Sequence, residues 1–323
     1  MTMTDPRSDQ TAFQQAVRVP GYAPPPAPPR LSPQAAPPPR PVRPVRPAPQ
    51  GAGAVLGTAG TMVALVSLWA VLQLLLLSGL SHDRAQTLLY DQFRVQLAET
   101  TAPLGPTVEV GDPVAIVTIP AIGVEEVVVE GTASGDTLAG PGHQRATPLP
   151  GQRGVSVLMG RAATYGGPFG DIGDLQPGDD VEVLTAQGRK TLDVLSVRRE
   201  GDPVPAFTAP AVITLVSAEG DGPFSALTPD TTVYVDAVAT EAFATPGGYG
   251  AKLPTSEKPM RSDDTALPLL ALWLAMLVGL SVAIVMARQR WTATLVWIVA
   301  GPVAITLAWQ TTDTAMRLLP NLL

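Results

Sequence analysis

Residues 113–132 read PVAIVTIPAIGVEEVVVEGT, and this stretch decides the fold class. Two short runs rich in Val and Ile, Pro113 to Ile119 and Glu126 to Glu130, flank a break at Pro120 to Gly123. β-Branched runs bounded by turn-forming residues predict strands. The same texture recurs at 155–160, 180–185, 190–199, 212–217 and 232–239, with few helical stretches between. Many short strands in succession predict a mainly β unit, a closed or nearly closed barrel over 107–240.

Outside that unit the chain changes character. Residues 55–80, 266–287 and 291–312 carry no charged side chain. Each is long enough, at about 1.5 Å per residue, to cross a hydrocarbon layer of about 30 Å as a helix. Three transmembrane helices are therefore predicted, the first an uncleaved signal-anchor because it starts far from the N-terminus and lacks a following cleavage motif. Residues 1–54 are rich in Pro and Arg and too poor in apolar residues to pack a core, which predicts a disordered, extended arm. Ala85, Leu88, Leu89, Phe93 and Leu97 recur at helical spacing within 81–106, predicting a short amphipathic helix after the first span. Residues 241–265 read as a linker.

Charge sets the orientation. Six arginines precede the first apolar block, and Arg288 and Arg290 fill the turn at 288–290. By the positive-inside rule both belong in the cytoplasm. Between Ser81 and Thr265 there are 12 Lys and Arg against 25 Asp and Glu. The barrel and the tail 313–323 are therefore expected on the outer face of a multi-pass cell-membrane protein. An acidic outer domain also argues against nucleic acid as a partner, since phosphate backbones demand clustered cations. The chain has no cysteine, which removes disulfides, thiol nucleophiles and thiolate metal sites. No cofactor motif is present. The carboxylates Asp171, Asp174, Asp179 and Asp180 read as solvated turn residues, with a weak calcium site as the alternative.

The barrel text resembles the sortases, the surface transpeptidases of Gram-positive bacteria, and most closely their actinobacterial class E-like group. The resemblance runs from about Val114 to Ala239 and rests on four phrases in order. They are IVTIPAIGVEEVVVEGT at 116–132, LAGPGHQRATPLPGQRGVSVLMG at 138–160, TYGGPFGDIGDLQPGDDVEVLTAQGR at 164–189 and ITLVSAEG at 213–220. It implies a cysteine nucleophile, a histidine acid and an arginine that stabilises the oxyanion. None stands in its place. Where the family has histidine after a strand, this chain has Arg161; where the cysteine closes its strand, Ala218 stands; the next strand, where the arginine belongs, reads Thr231-Thr232-Val233, with Thr232 at that position. A guanidinium stays protonated and shuttles no proton, and a methyl group attacks nothing.

The resemblance therefore implies a sortase fold without the inherited catalytic set: a non-catalytic binding or assembly factor for a protein or peptide at the outer face. Tyr165, Phe169, Ser217 and Glu219 are candidate groove-lining residues, with Arg161 offering a fixed charge to a carboxylate, either a partner's or that of Glu219 or Asp221. Side chains alternate along a strand, so Ser217 is expected to face away from Ala218. Two other readings stay open. One is an enzyme with rebuilt chemistry, drawing on Ser217, His143 or Arg161. The other is a structural membrane subunit in which the helices matter and the groove does not.

Overall fold

A computed structural model describes residues 21, 68–69, 71–73, 77–220, 229–250, 252–288 and 290–323. The Pro-rich arm predicted for 1–54 and most of the first apolar block lie outside these residues, and so does Asp221.

Eight strands close a barrel in the order β1-β2-β3-β4-β7-β8-β6-β5. They are β1 (Pro113–Ile119), β2 (Val124–Glu130), β3 (Gly142–His143), β4 (Gly154–Met159), β5 (Asp180–Thr185), β6 (Gly188–Arg199), β7 (Ala211–Glu219) and β8 (Thr231–Ala239). Seven match the sequence expectation to within two residues. The eighth, β3, is two residues long, too short to show alternation. It nonetheless completes the wall by pairing parallel to β2 and antiparallel to β4.

Closure follows from local chemistry. Between β1 and β2 the turn is set by Pro120 and by Gly123, whose φ of +68° lies in the left-handed region that a side chain disfavours. Inward-facing Val117, Leu158, Val183, Leu192, Ile213, Leu215 and Val235 then form one interior core. β7 is buried on both faces, which is why its sequence reads as a continuous apolar run rather than an alternation. Its inner face carries Ile213 and Leu215, while Val216 and Ala218 belong to a separate apolar cluster on the opposite face.

Helix α1 (Ser78–Ala98) begins within the first apolar block, before the boundary expected at residue 81. Phe93 is fully buried against Ile116 and Val127, with Leu89 and Leu97 beside it. Leu88 departs from expectation: it is exposed, because the buried stripe runs through 89, 93 and 97 and leaves 88 on the other flank.

Two further helices, α2 (Leu267–Arg288) and α3 (Ala293–Met316), pack against each other. Among the described residues they supply the two candidate membrane spans, Asp264–Ile284 and Thr294–Met316, with mean hydropathies of 2.4 and 1.4. Exposed apolar side chains along them, such as Leu272, Val278, Trp297 and Ile298, find no cover among the described residues, as suits helices solvated by lipid. Two candidates stand where three were expected, since the first block is described only in fragments; one of these places the Trp69 indole 3.1 Å from the Thr312 hydroxyl of α3, to which it donates. α3 also extends to Met316, four residues past the end expected at 312.

One glycine ties the core to the rim described below. A Cβ on Gly160 would stand 2.4 Å from the Phe169 ring, and Phe169 is fully buried in the interior core with no room to yield. Gly160→Ala is expected to destabilise the barrel by about 1–3 kcal/mol through overpacking, read as a lowered thermal midpoint; an unchanged midpoint would mean the ring moves freely.

Candidate functional site

β4 runs parallel to β7, and β7 antiparallel to β8. The end of β4, the end of β7 and the start of β8 therefore meet at one rim of the barrel. Ala218 is the direct register partner of Thr232, and the Gly160 amide donates to the Val216 carbonyl at 3.0 Å. The topology thus brings Arg161, Ala218 and Thr232 to one place. Cross-strand partners share a face, so Ala218 and Thr232 point together toward the cluster of Met159, Val216 and Leu322.

Arg161 is fully buried. One guanidinium nitrogen donates to the Thr164 hydroxyl and to the main-chain oxygen of Leu323, both at 3.0 Å; the other donates to the Ser134 carbonyl at 2.8 Å and its hydroxyl at 2.9 Å. Among the described residues it forms no salt bridge, and its Nε has no partner. Burial lowers the Arg161 guanidinium to about 10, with partial relief from nearby Tyr165. It therefore stays charged at neutral pH.

This corrects the pairing with Glu219, one of the carboxylates expected from the sequence. Glu219 instead accepts two hydrogen bonds from Arg199, at 2.6 and 2.8 Å, and that contact holds its carboxyl below the usual range. The resemblance put Glu219, beside Ala218, near Arg161, but the β6–β8–β7 pairing brings Arg199 closer.

The other expected groove residues separate. Phe169 belongs to the interior core. Ser217 is fully buried and, among the described residues, its hydroxyl is unpartnered, on the alternate face from Ala218 and Val216. It offers no nucleophile to the rim. His143 is built into the wall, with one ring nitrogen 2.8 Å from Glu130 and the other 2.9 Å from the Pro148 carbonyl. Neither ring nitrogen faces a solvent-accessible space, so a Ser217–His143 pairing finds no geometry here.

Tyr165 does adjoin Arg161, its ring 5.6 Å from the guanidinium, and adopts a left-handed φ of +52°. Its hydroxyl donates to Asp313 of α3 at 2.6 Å. Burial first, then that hydrogen bond, push the Tyr165 phenol far above its ordinary range. Of the loop carboxylates, Asp179 closes a turn by accepting from the Gln176 amide, and among the described residues no group of three or more is placed to hold a metal.

The largest surprise is what covers the rim. Residues 317–323 do not extend away as a tail; they return to the barrel. The Asn321 amide donates to the Arg261 carbonyl, its side-chain nitrogen to the carbonyls of Thr132 and Lys258, and its side-chain oxygen accepts from the Arg261 amide. The Thr137 hydroxyl donates to the Asn321 carbonyl and the Ala162 amide to the Leu322 carbonyl. The Thr164 hydroxyl joins Arg161 in donating to the Leu323 oxygen. The supposed linker 241–265 supplies part of this wall through Lys258 and Arg261, anchored by the pairing of Arg145 with buried Glu257. One signal was available in the sequence: Leu318-Leu319-Pro320-Asn321-Leu322-Leu323 is too apolar to remain in water.

Residues 117–217 match the sortase domain family model. Over 90 residues the chain is 32% identical to sortase D of Bacillus subtilis (strain 168), covering 28% of this chain and 44% of that relative, so it spans less than half of the relative's length. Among solved structures, a Clostridium perfringens sortase D5 transpeptidase is 18% identical over 49% of this chain and 96% of its own, with a TM-score of 0.37. A sortase E variant from Streptomyces avermitilis is 25% identical over 47% of this chain and all of its own (100%), with a TM-score of 0.35.

Asp136 flanks the wall, its carboxylate accepting from the Ala133 amide at 3.1 Å. Burial, helped by nearby Glu257, raises the Asp136 carboxyl to about 6 from 3.8. A raised carboxyl favours the fold while it is protonated in both states, and that contribution is lost as pH rises through about 6. Asp136→Asn is therefore expected to melt higher than the parent above pH 6 and to match it below pH 4. A constant difference across that range would contradict the assignment.

Proposed function

The chain carries a sortase-family domain, and from that premise we propose that it is a non-catalytic member that binds a protein or peptide at the outer face of the cell membrane. One observation carries the reading: at the rim where the family places its chemistry, Arg161, Ala218 and Thr232 stand together, and the chain contains no cysteine to take over. Acyl transfer needs a nucleophile, a proton donor and a developing-charge stabiliser. Here a methyl group, a permanently charged guanidinium whose two terminal nitrogens are already held by four acceptors, and a small hydroxyl occupy those places.

The membrane assignment rests on α2 and α3, joined by the Arg288 and Arg290 turn. Because residues before α2 and after α3 both touch the same barrel, the two helices form a hairpin whose open end faces it. That supports placing the barrel outside, the turn inside, and residues 55–80 as a third span from a cytoplasmic N-terminal arm. The domain limits 107–240 for the barrel and 266–287 and 291–312 for the spans follow the same reading.

Two assays test it. Purified intact chain, mixed with a sortase peptide substrate and an amine acceptor, is expected to give no cleavage or exchange product by mass spectrometry; any product lost on Ser217→Ala would establish rebuilt chemistry instead. Native-membrane pull-downs with the intact chain and with Ala162→Trp, which crowds the rim, are expected to differ by at least one partner. An identical set from both would favour the structural-subunit reading.

A further inference from the structure

The seating of residues 317–323 is more selective than packing alone requires. A tail that merely covered apolar surface would bury its leucines and leave its polar groups to water. Here the main chain is read instead, by three separate parts of the fold: Arg261 on the connection to α2, Thr137 after β2, and Ala162 and Thr164 after β4. The Asn321 side chain is read as well, with both amide hydrogens and its oxygen paired. An aspartate there would set a carboxylate against the carbonyls of Thr132 and Lys258, and a leucine would leave those carbonyls unpaired. Next along, Leu322 enters the pocket of Met159, Val216 and Ala218. The small Ala218 side chain leaves room in that pocket. Then Arg161, buried and without a salt-bridge partner among the described residues, binds the Leu323 oxygen. Pro320 supplies no N–H that would need a partner.

We propose that the rim is a sequence-reading peptide site whose resident ligand is the chain's own Arg317–Leu323 segment. A partner that enters must present the same chemistry: an apolar peptide turned as Pro320–Leu323 is, where the Leu323 amide donates to the Pro320 carbonyl, with an asparagine one residue before the leucine that fills the pocket. Arg161 acts as the clamp on the peptide main chain, Asn321 sets specificity, and occupancy couples the membrane hairpin to the barrel. This rests on the reading of the rim as a binding site.

The intact chain in lipid nanodiscs and a fluorescent peptide of residues 317–323 provide the test. A chain carrying Asn321→Ala and Leu322→Asp, which vacates the site, is expected to bind the peptide at least about 10-fold more tightly than the parent does. Replacing asparagine by alanine in the peptide, or adding Arg161→Gln to the vacated chain, is expected to remove that gain. A vacated chain that keeps its circular dichroism and binds both peptides equally, or neither, would overturn the proposal. Should the vacated chain unfold, Leu323→Cys introduces the sole thiol into an otherwise cysteine-free chain. Excess unlabelled peptide should accelerate its modification by maleimide several-fold, and an unchanged rate would equally overturn the proposal. The outcomes are separable from those of the binding-factor reading: peptide exchange without any Ala162-dependent partner would leave an internal latch and sink only the broader reading.

Discussion

A guanidinium removed entirely from water must find acceptors for its N–H groups, and the region around Arg161 is organised by that demand. Desolvation of an isolated cation costs far more than a protein's net stability, yet no Asp or Glu side chain among the described residues pairs with Arg161. Oxygens of Ser134, Thr164 and Leu323 meet it instead. These belong to the β2–β3 connection, the loop after β4 and the end of α3's following segment. One buried charge therefore binds together three parts of the chain that the barrel alone would leave independent.

The same constraint explains why the site is closed. In an acid–base site the side chain at this position would face a substrate with one nitrogen free. Arg161 spends its donors on the protein, and the covering segment places Leu322 over Ala218. Tyr165 extends the connection by reaching Asp313 of α3. The barrel rim and the hairpin helices thus share a continuous polar path, Ser134 to Arg161 to Leu323 on one side and Tyr165 to Asp313 on the other.

Much of the fold was legible because β-branched runs and turn residues are local signals. β1, β5 and β8 fall where β-branched runs bounded by turn residues put them, and the face switch between Ser217 and Ala218 follows from strand geometry. What was not legible depends on long-range pairing. β3 is too short to carry a pattern. Leu88 shares the helical spacing of Leu89 and Phe93 but falls on the wrong flank. Glu219 was misassigned because its partner, Arg199, is twenty positions away in sequence yet adjacent through β8. The covering segment was missed for a related reason. Short apolar ends after a membrane helix resemble lipid anchors, and only the register of Asn321 against Thr132, Lys258 and Arg261 distinguishes a seated peptide from one.

The central claim, that the rim is filled by the chain's own segment through Arg161, is most directly tested by amide hydrogen exchange on the intact chain in nanodiscs. The Ala162 and Asn321 amides, bonded to Leu322 and Arg261, are predicted to exchange as slowly as those of β7. Exchange of both at the rate of an unstructured peptide, with β7 still protected, would contradict it.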